Sequence, residues 1–252
     1  MTEGLTRDGF LGGRLQVWQP AAGYRAGNDP VLLAAACTAR AKDTVLELGA
    51  GVGVASLCLA HRVPGLRITA VERHAPYADL AMRNAEENAL SLEVVTADIG
   101  ALPADLRRST FDHVIANPPY FPPASGTRAQ DAGRAGGRQE ETPLGLWFRI
   151  AAARLRPKGW LTVIQSADRL PHCLNALEGF GAIAVLPLQA RPGRDANRII
   201  LRARKGARAA FRLHAPVAMH DGDRHVQDRE SYTTEMMTIF RKGGPIAWPD
   251  GN

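Results

Sequence analysis

From Thr44 onwards the chain alternates short, nearly continuous apolar runs with longer stretches of helical spacing. The runs predict strands at 44–48, 67–72, 92–96, 111–116, 160–165, 182–188 and 198–204, because strands covered on both faces lose their alternating polar positions. The stretches between them predict helices at 53–62, 76–88, 143–156 and 168–178. Strand and helix alternating at this spacing is the pattern of an α/β fold, a doubly wound and mostly parallel seven-stranded sheet with helices on both faces. Upstream, Phe10-Leu11, a Gly12-Gly13 turn and Leu15 to Trp18 predict a short N-terminal hairpin within 10–24. The Ala-rich run from Pro30 to Cys37 predicts a helix, with Asn28 or Asp29 as cap and Pro30 in the first turn. Residues 121–142 are rich in Pro, Gly and Arg and lack apolar periodicity, which predicts a long loop of the kind often used as a lid. Beyond 206 the pattern is weaker, with a strand expected within Phe211–Ala218 and a terminal helix from Tyr232 to Phe240.

Composition narrows this picture only slightly. At 252 residues, with 45% apolar and 22% charged side chains, the chain suits one substantial core. No run of about 18 uncharged apolar residues exists, and Cys37, Cys58 and Cys173 match no zinc or disulfide spacing. A reducing, cytoplasmic setting with free thiols is expected, with no metal and no membrane. Charge is more telling in its distribution. The net +6 is exceeded by the segment Arg191–Arg212, where eight basic residues face one acid, Asp195. Such concentration predicts a phosphate-binding surface, with Arg194, Arg202, Arg204 and Lys205 as candidate contacts.

Two strand ends carry candidate chemistry. After the strand Phe111–Ala116 comes Asn117-Pro118-Pro119-Tyr120. An amino nitrogen conjugated with a ring is a poor nucleophile because its lone pair is delocalised. The Asn117 side-chain oxygen and the Pro118 carbonyl offer two acceptors for its N–H groups, and consecutive prolines stiffen the turn. Tyr120 is expected to stack on a flat substrate, with Trp18 and Phe121 as possible neighbours. After the strand Thr44–Leu48 comes Gly49-Ala50-Gly51-Val52-Gly53, a turn that lets a ligand approach the backbone closely. Acids then end three successive strands: Glu47, suited to an α-amino group, Glu72, suited to ribose hydroxyls, and Asp98, suited to an adenine amino group. Three acids suit a cationic, amino-bearing cofactor such as S-adenosylmethionine and suit a pyrophosphate poorly.

Glu47-Leu48-Gly49-Ala50-Gly51-Val52-Gly53, Glu72, Asp98 and Asn117-Pro118-Pro119-Tyr120, in that order, resemble a class I S-adenosylmethionine-dependent methyltransferase of the amino-modifying type. More narrowly the chain resembles the bacterial tRNA1(Val) adenine-N6 methyltransferases. This match runs upstream through Gln19-Pro20 and Gly23 to Leu33, similar to a cofactor-closing motif, and downstream through Arg138-Gln139-Glu140-Glu141 and Pro192-Gly193-Arg194. The resemblance implies a Rossmann-like methyltransferase fold and methylation of the adenine 3′ of the anticodon. It implies that Asn117, Pro118 and Tyr120 orient a flipped-out base. It also implies that Asp29, Glu47, Gly49, Gly51, Glu72, Asp98 and Asn117 hold S-adenosylmethionine, and that Phe121, Arg138, Arg194, Arg202, Arg204 and Lys205 meet the tRNA. Residues 1–40 then close the cofactor site, 41–205 form the catalytic domain, and 206–252 are an extension packed on it. Arg25 is expected to close over the cofactor carboxylate or to pair with Asp29. A protein-glutamine methyltransferase shares the Asn-Pro-Pro-Tyr turn, and an rRNA base methyltransferase or a non-catalytic RNA-binding protein would also carry this fold.

Overall fold

The structure, a computed structural model, describes residues 4–120, 142–222 and 231–249. Strands β1 (Leu5–Phe10) and β2 (Leu15–Pro20) form a separate antiparallel hairpin. Helix α1 (Asp29–Ala36) leads to the main sheet, which carries β3 (Thr44–Leu48), β4 (Arg67–Glu72), β5 (Glu93–Thr96), β6 (Phe111–Ala116), β7 (Leu155–Ser166), β8 (Phe180–Gln189) and β9 (Ala196–Lys205). Two further two-residue strands, β10 (Arg212–Leu213) and β11 (Val217–Ala218), pair with β8. The order is β10-β8-β9-β7-β6-β3-β4-β5, and β9 alone of the seven long strands runs antiparallel to its neighbours β7 and β8. Helices α2 (Val54–Arg62), α3 (Ala75–Glu87) and α4 (Ala104–Arg108) and the later helices Leu144–Arg154, Leu170–Asn175 and Thr234–Lys242 accompany the sheet. Apolar side chains gather in two clusters, one holding α1 and α2, the other Ile99, Leu106 and Trp147–Phe148.

Every long strand expected from the pattern is present, and the differences have local causes. The hairpin begins at Leu5 rather than Phe10, because β1 is a half-exposed edge strand whose ladder to β2 replaces the apolar signal. The outer edge of β2 is closed by α3: Asn88 and Asn84 each offer an amide oxygen to a β2 N–H (Gln16 N at 2.9 Å, Trp18 N at 2.8 Å) and an amide nitrogen to the matching carbonyl. Two asparagines spaced i, i+4 thus imitate a third strand. The helix expected over 143–156 ends at Arg154, since Pro157 disfavours helical backbone at the residue before it and β7 starts directly at Leu155. The single strand expected within 211–218 divides into β10 and β11, and the helix over 168–178 shortens to a 3-10 turn followed by Leu170–Asn175.

Two polar residues inside the all-buried β6 find partners at the sheet's lower end. Asp112 accepts from Thr44 N and Oγ1 at 2.8 and 2.7 Å and pairs with Arg156. His113 Nε2 lies 3.2 Å from Asp43 Oδ2, and burial lowers its imidazole pKa. At the upper end the strand order reverses between β3 and β6, where doubly wound sheets open a crevice. The glycine turn after β3 and the Asn117 turn after β6 therefore stand side by side.

Helix α1 is held at its far end. Arg62 Nη2 donates to the carbonyls of Ala34 and Cys37 at 2.9 and 2.5 Å, while Ile246 N and Trp248 Nε1 take those of Ala35 and Ala36 at 2.9 and 3.0 Å. These bonds satisfy carbonyls that a helix terminus leaves orphaned. They fix α1 so that Asp29, its first residue, faces the crevice.

Candidate active site

A cavity of about 1060 Å³ opens at the crevice, lined by the segments 22–30, 47–54, 71–77, 97–99 and 117–120, by Thr142 and Trp147, and by 166–168 and 196–198. Its floor is the glycine turn. Gly49, Gly51 and Gly53 all have positive φ, at 68°, 57° and 88°, a region that side chains with a Cβ rarely enter. A Cβ on Gly49 would meet Trp147 Cη2 at 2.5 Å. Trp147 is buried and also forms a wall of the cavity, which its place in an apolar helix does not reveal.

The three strand-end acids reach the cavity by different routes. Glu47 is 3% exposed and accepts from Ser56 N at 3.0 Å and from Ser56 Oγ. Burial outweighs those bonds and pushes its pKa up to about 7. Glu72, 8% exposed, accepts from Gly51 N and from His74 N, both at 2.8 Å. It thereby ties the glycine turn to the end of β4 while each oxygen keeps a lone pair for a ligand. Asp98 is exposed and caps a 3-10 turn by accepting from Gly100 N at 2.7 Å. The carboxylates of Glu47, Glu72 and Asp98 thus converge on one cavity whose floor presents glycine backbone. That donor set fits a cationic nucleoside such as S-adenosylmethionine.

Opposite them lies the Asn117 turn. Tyr120 Oη stands 2.5 Å from Asp29 Oδ2 and 3.1 Å from Asn117 Oδ1. Burial, and then the Asp29 carboxylate, hold the Tyr120 phenol well above its ordinary range. The guanidinium of Arg198 lies over the Tyr120 ring at 4.5 Å, and its Nε is 3.3 Å from Asp29 Oδ2. The Pro118 carbonyl accepts from Gln165 Nε2 at 3.3 Å, and Gln165 Oε1 accepts from Ser166 N at 2.8 Å. Gln165 is fully buried. A polar residue closing an otherwise apolar strand was the available sign that it braces the turn. Tyr24, known from the sequence only as part of the closing motif, lines the cavity with its phenol pushed up to about 12 by burial and by Asp29.

Several expectations for individual residues are corrected. Arg25 does not pair with Asp29; it lines the cavity and donates to Asp8 Oδ2 and Thr6 Oγ1, both at 2.6 Å. Trp18 lies outside the cavity, donating to Glu87 at 2.8 Å beneath Arg83. Phe121 and Arg138 fall outside the described residues, as do Glu140 and Glu141. The basic segment runs along the whole length of β9. Because β9 is antiparallel, Arg198 pairs with Ser166 at the cavity end while Arg204 pairs with Trp160 at the other, about 20 Å away at the rise of a strand. Arg202 is 5% exposed and stacks between Trp160 and Trp248. Arg204 and Lys205 donate to the carbonyls of Lys158 and Leu155 at 2.9 and 2.6 Å. Arg194, exposed in the β8–β9 turn, stays at the cavity end.

Comparisons with known proteins agree with this geometry. The family model described as Methyltransferase small domain matches residues 28–190. A Porphyromonas gingivalis protein named tRNA1(Val) (adenine(37)-N6)-methyltransferase is 33% identical over 175 residues, which is 66% of this chain and 68% of that one. One of the same name from Shewanella baltica is 30% identical over 228 residues, 87% of this chain and 91% of its own. The crystal structure of a predicted O-methyltransferase from Agrobacterium tumefaciens superposes with a TM-score of 0.72 at 27% identity, over 88% of this chain and 99% of that one. A 16S rRNA N2 methyltransferase of Thermus thermophilus, in complex with AdoMet and guanosine, shares the fold at a TM-score of 0.55 and 22% identity, over 80% of this chain and 50% of that one.

Proposed function

The chain belongs to the methyltransferase small domain family, and from that premise we propose that it methylates the N6 amino group of an adenine in tRNA, the adenine 3′ of the anticodon in tRNA1(Val). The observation that carries the amino-group reading is the Asn117 turn standing beside the glycine turn in one cavity. S-adenosylmethionine supplies a methyl group already activated on a sulfonium. In this reading Glu72 accepts from the ribose hydroxyls, Glu47 meets the amino acid end and Asp98 accepts from the adenine amino group of that cofactor. Asn117 Oδ1 and the Pro118 carbonyl accept the two N–H groups of the substrate amine, which localises its lone pair. Positioning supplies most of the catalysis, since the amine loses its proton after transfer, when it has become acidic. The names of the relatives at 30–33% identity support adenine in tRNA as the substrate.

The test is single-turnover methyl transfer to an unmodified tRNA1(Val) transcript, with the modified nucleotide mapped. Asn117→Ala should keep cofactor affinity within about threefold and lose on the order of a hundredfold in turnover, because the acceptor acts on the reacting amine. Methyl transfer to a guanine, or to a protein glutamine with none to RNA, refutes the substrate; unchanged turnover in the variant places the amine elsewhere.

A further inference from the structure

Tyr120 has one hydroxyl proton and two acceptors within reach, Asp29 Oδ2 at 2.5 Å and Asn117 Oδ1 at 3.1 Å. Distance and charge favour the same acceptor. A hydroxyl on a carboxylate makes a shorter bond than one on a neutral amide and about twice as strong, so the proton goes to Asp29. The consequence falls on Asn117. A hydroxyl donating to Asn117 Oδ1 would occupy the acceptor that the substrate amine needs and would draw electron density from it. Arg198 secures the arrangement from a third side. Its Nε lies 3.3 Å from the same Asp29 oxygen, and its guanidinium covers one face of the Tyr120 ring. The partners come from α1, from the turn after β6 and from the start of β9, so the docking of three elements sets the hydroxyl's direction.

We propose that Asp29 and Arg198 are positioning residues of the transfer reaction: they hold the Tyr120 hydroxyl away from Asn117 and so reserve the Asn117 acceptor for the substrate amine. The inference rests on the amine-methylation reading. It gives Asp29 a role toward Tyr120 where the closing motif implied one toward the cofactor.

The experiment compares Asp29→Asn, Tyr120→Phe and the double variant in single turnover on the unmodified tRNA1(Val) transcript, with cofactor affinity measured by calorimetry. Asp29→Asn should slow transfer by about ten- to fiftyfold, leaving cofactor affinity within about threefold, because the freed hydroxyl turns onto Asn117. Tyr120→Phe should cost less, and the double variant should recover to the level of Tyr120→Phe, since no hydroxyl remains to misdirect. A double variant as slow as Asp29→Asn, or a loss of cofactor affinity as large as the loss of rate, overturns the proposal. Arg198→Met should lower the turnover number, and Arg198→Lys should restore most of it by keeping a cation beside Asp29; equal losses in both overturn the part assigned to Arg198. The hydroxyl also has a readout independent of turnover. A downfield proton resonance in the wild type should vanish in both Tyr120→Phe and Asp29→Asn. Persistence of that resonance in Asp29→Asn overturns the proposal whether or not the wild type acts on the transcript. Inactivity of the wild type on the transcript, with the resonances as expected, overturns the substrate reading alone.

Discussion

The amide nitrogen of Gly51 donates to Glu72 Oε2 at 2.8 Å, so one carboxylate both shapes the glycine turn and faces the cofactor cavity. Glu72→Ala removes two functions together. Its loss should weaken S-adenosylmethionine binding by about 1–3 kcal/mol, the range for hydrogen bonds to a charged group. Glu72→Gln keeps one acceptor oxygen and should lie between the two. Calorimetric affinities equal in wild type and Glu72→Ala would remove Glu72 from the cofactor site.

A methyl group added at Gly49 meets Trp147 and sits at a φ of 68°. Gly49→Ala should destabilise the protein by about 1–3 kcal/mol, since overpacking and positive-φ strain act together. Trimming the ring in a Gly49→Ala, Trp147→Leu double variant should recover part of the clash but none of the backbone strain. Denaturant midpoints read both contributions, and strict additivity of the two substitutions would show that the ring is not the obstacle.

The frame of the site was legible in the sequence because chain order alone sets it. Strand ends carrying Glu47, Glu72, Asp98 and Asn117 arrive at one edge of any doubly wound sheet. What was not legible depends on strand direction and on side chains far apart in sequence. Eight basic residues between Arg191 and Arg212 look like one patch until the antiparallel course of β9 sends Arg198 to one end and Arg204 to the other. The Asp29–Tyr120 contact spans 91 residues and depends on α1 being pinned by Arg62 and by Trp248 from the C-terminal segment. Periodicity does not encode such docking.

Glu47 links pH to both stability and binding. In the folded chain it holds its proton up to about pH 7, against 4.5 as its ordinary value. The native state therefore binds more protons across that interval, and this contribution to stability is complete below the ordinary value and lost as pH rises to about 7. Its size is on the order of 3 kcal/mol. Glu47→Gln should remove that slope from a plot of denaturation free energy against pH. Binding runs the other way: a cation needs the ionised carboxylate, so wild-type affinity for S-adenosylmethionine should rise between about pH 5.5 and 7, approaching tenfold per unit, and Glu47→Gln should show a flat line. A wild type as flat as the variant would mean that Glu47 does not face the cofactor's charge.

The division of the basic segment between the two ends of β9 decides which cations meet RNA. Arg194 is exposed in the turn at the cavity end, where a substrate base must enter. Arg204, held by the Lys158 carbonyl and stacked on Trp160 at 5.4 Å, belongs to the opposite end. Affinity for the tRNA transcript should fall steeply with salt, because bound cations leave the RNA when phosphates are neutralised. Arg194→Ala should reduce the log–log slope by up to about 0.7–0.9, the value of one phosphate contact. Arg204→Ala should leave the slope unchanged and lower the thermal midpoint, because it removes a strand-end hydrogen bond and a ring contact. Filter binding across about 50–200 mM salt, with melting curves for the same proteins, separates the two. A flattened slope in Arg204→Ala, with none in Arg194→Ala, would move the RNA path to the far end of the sheet.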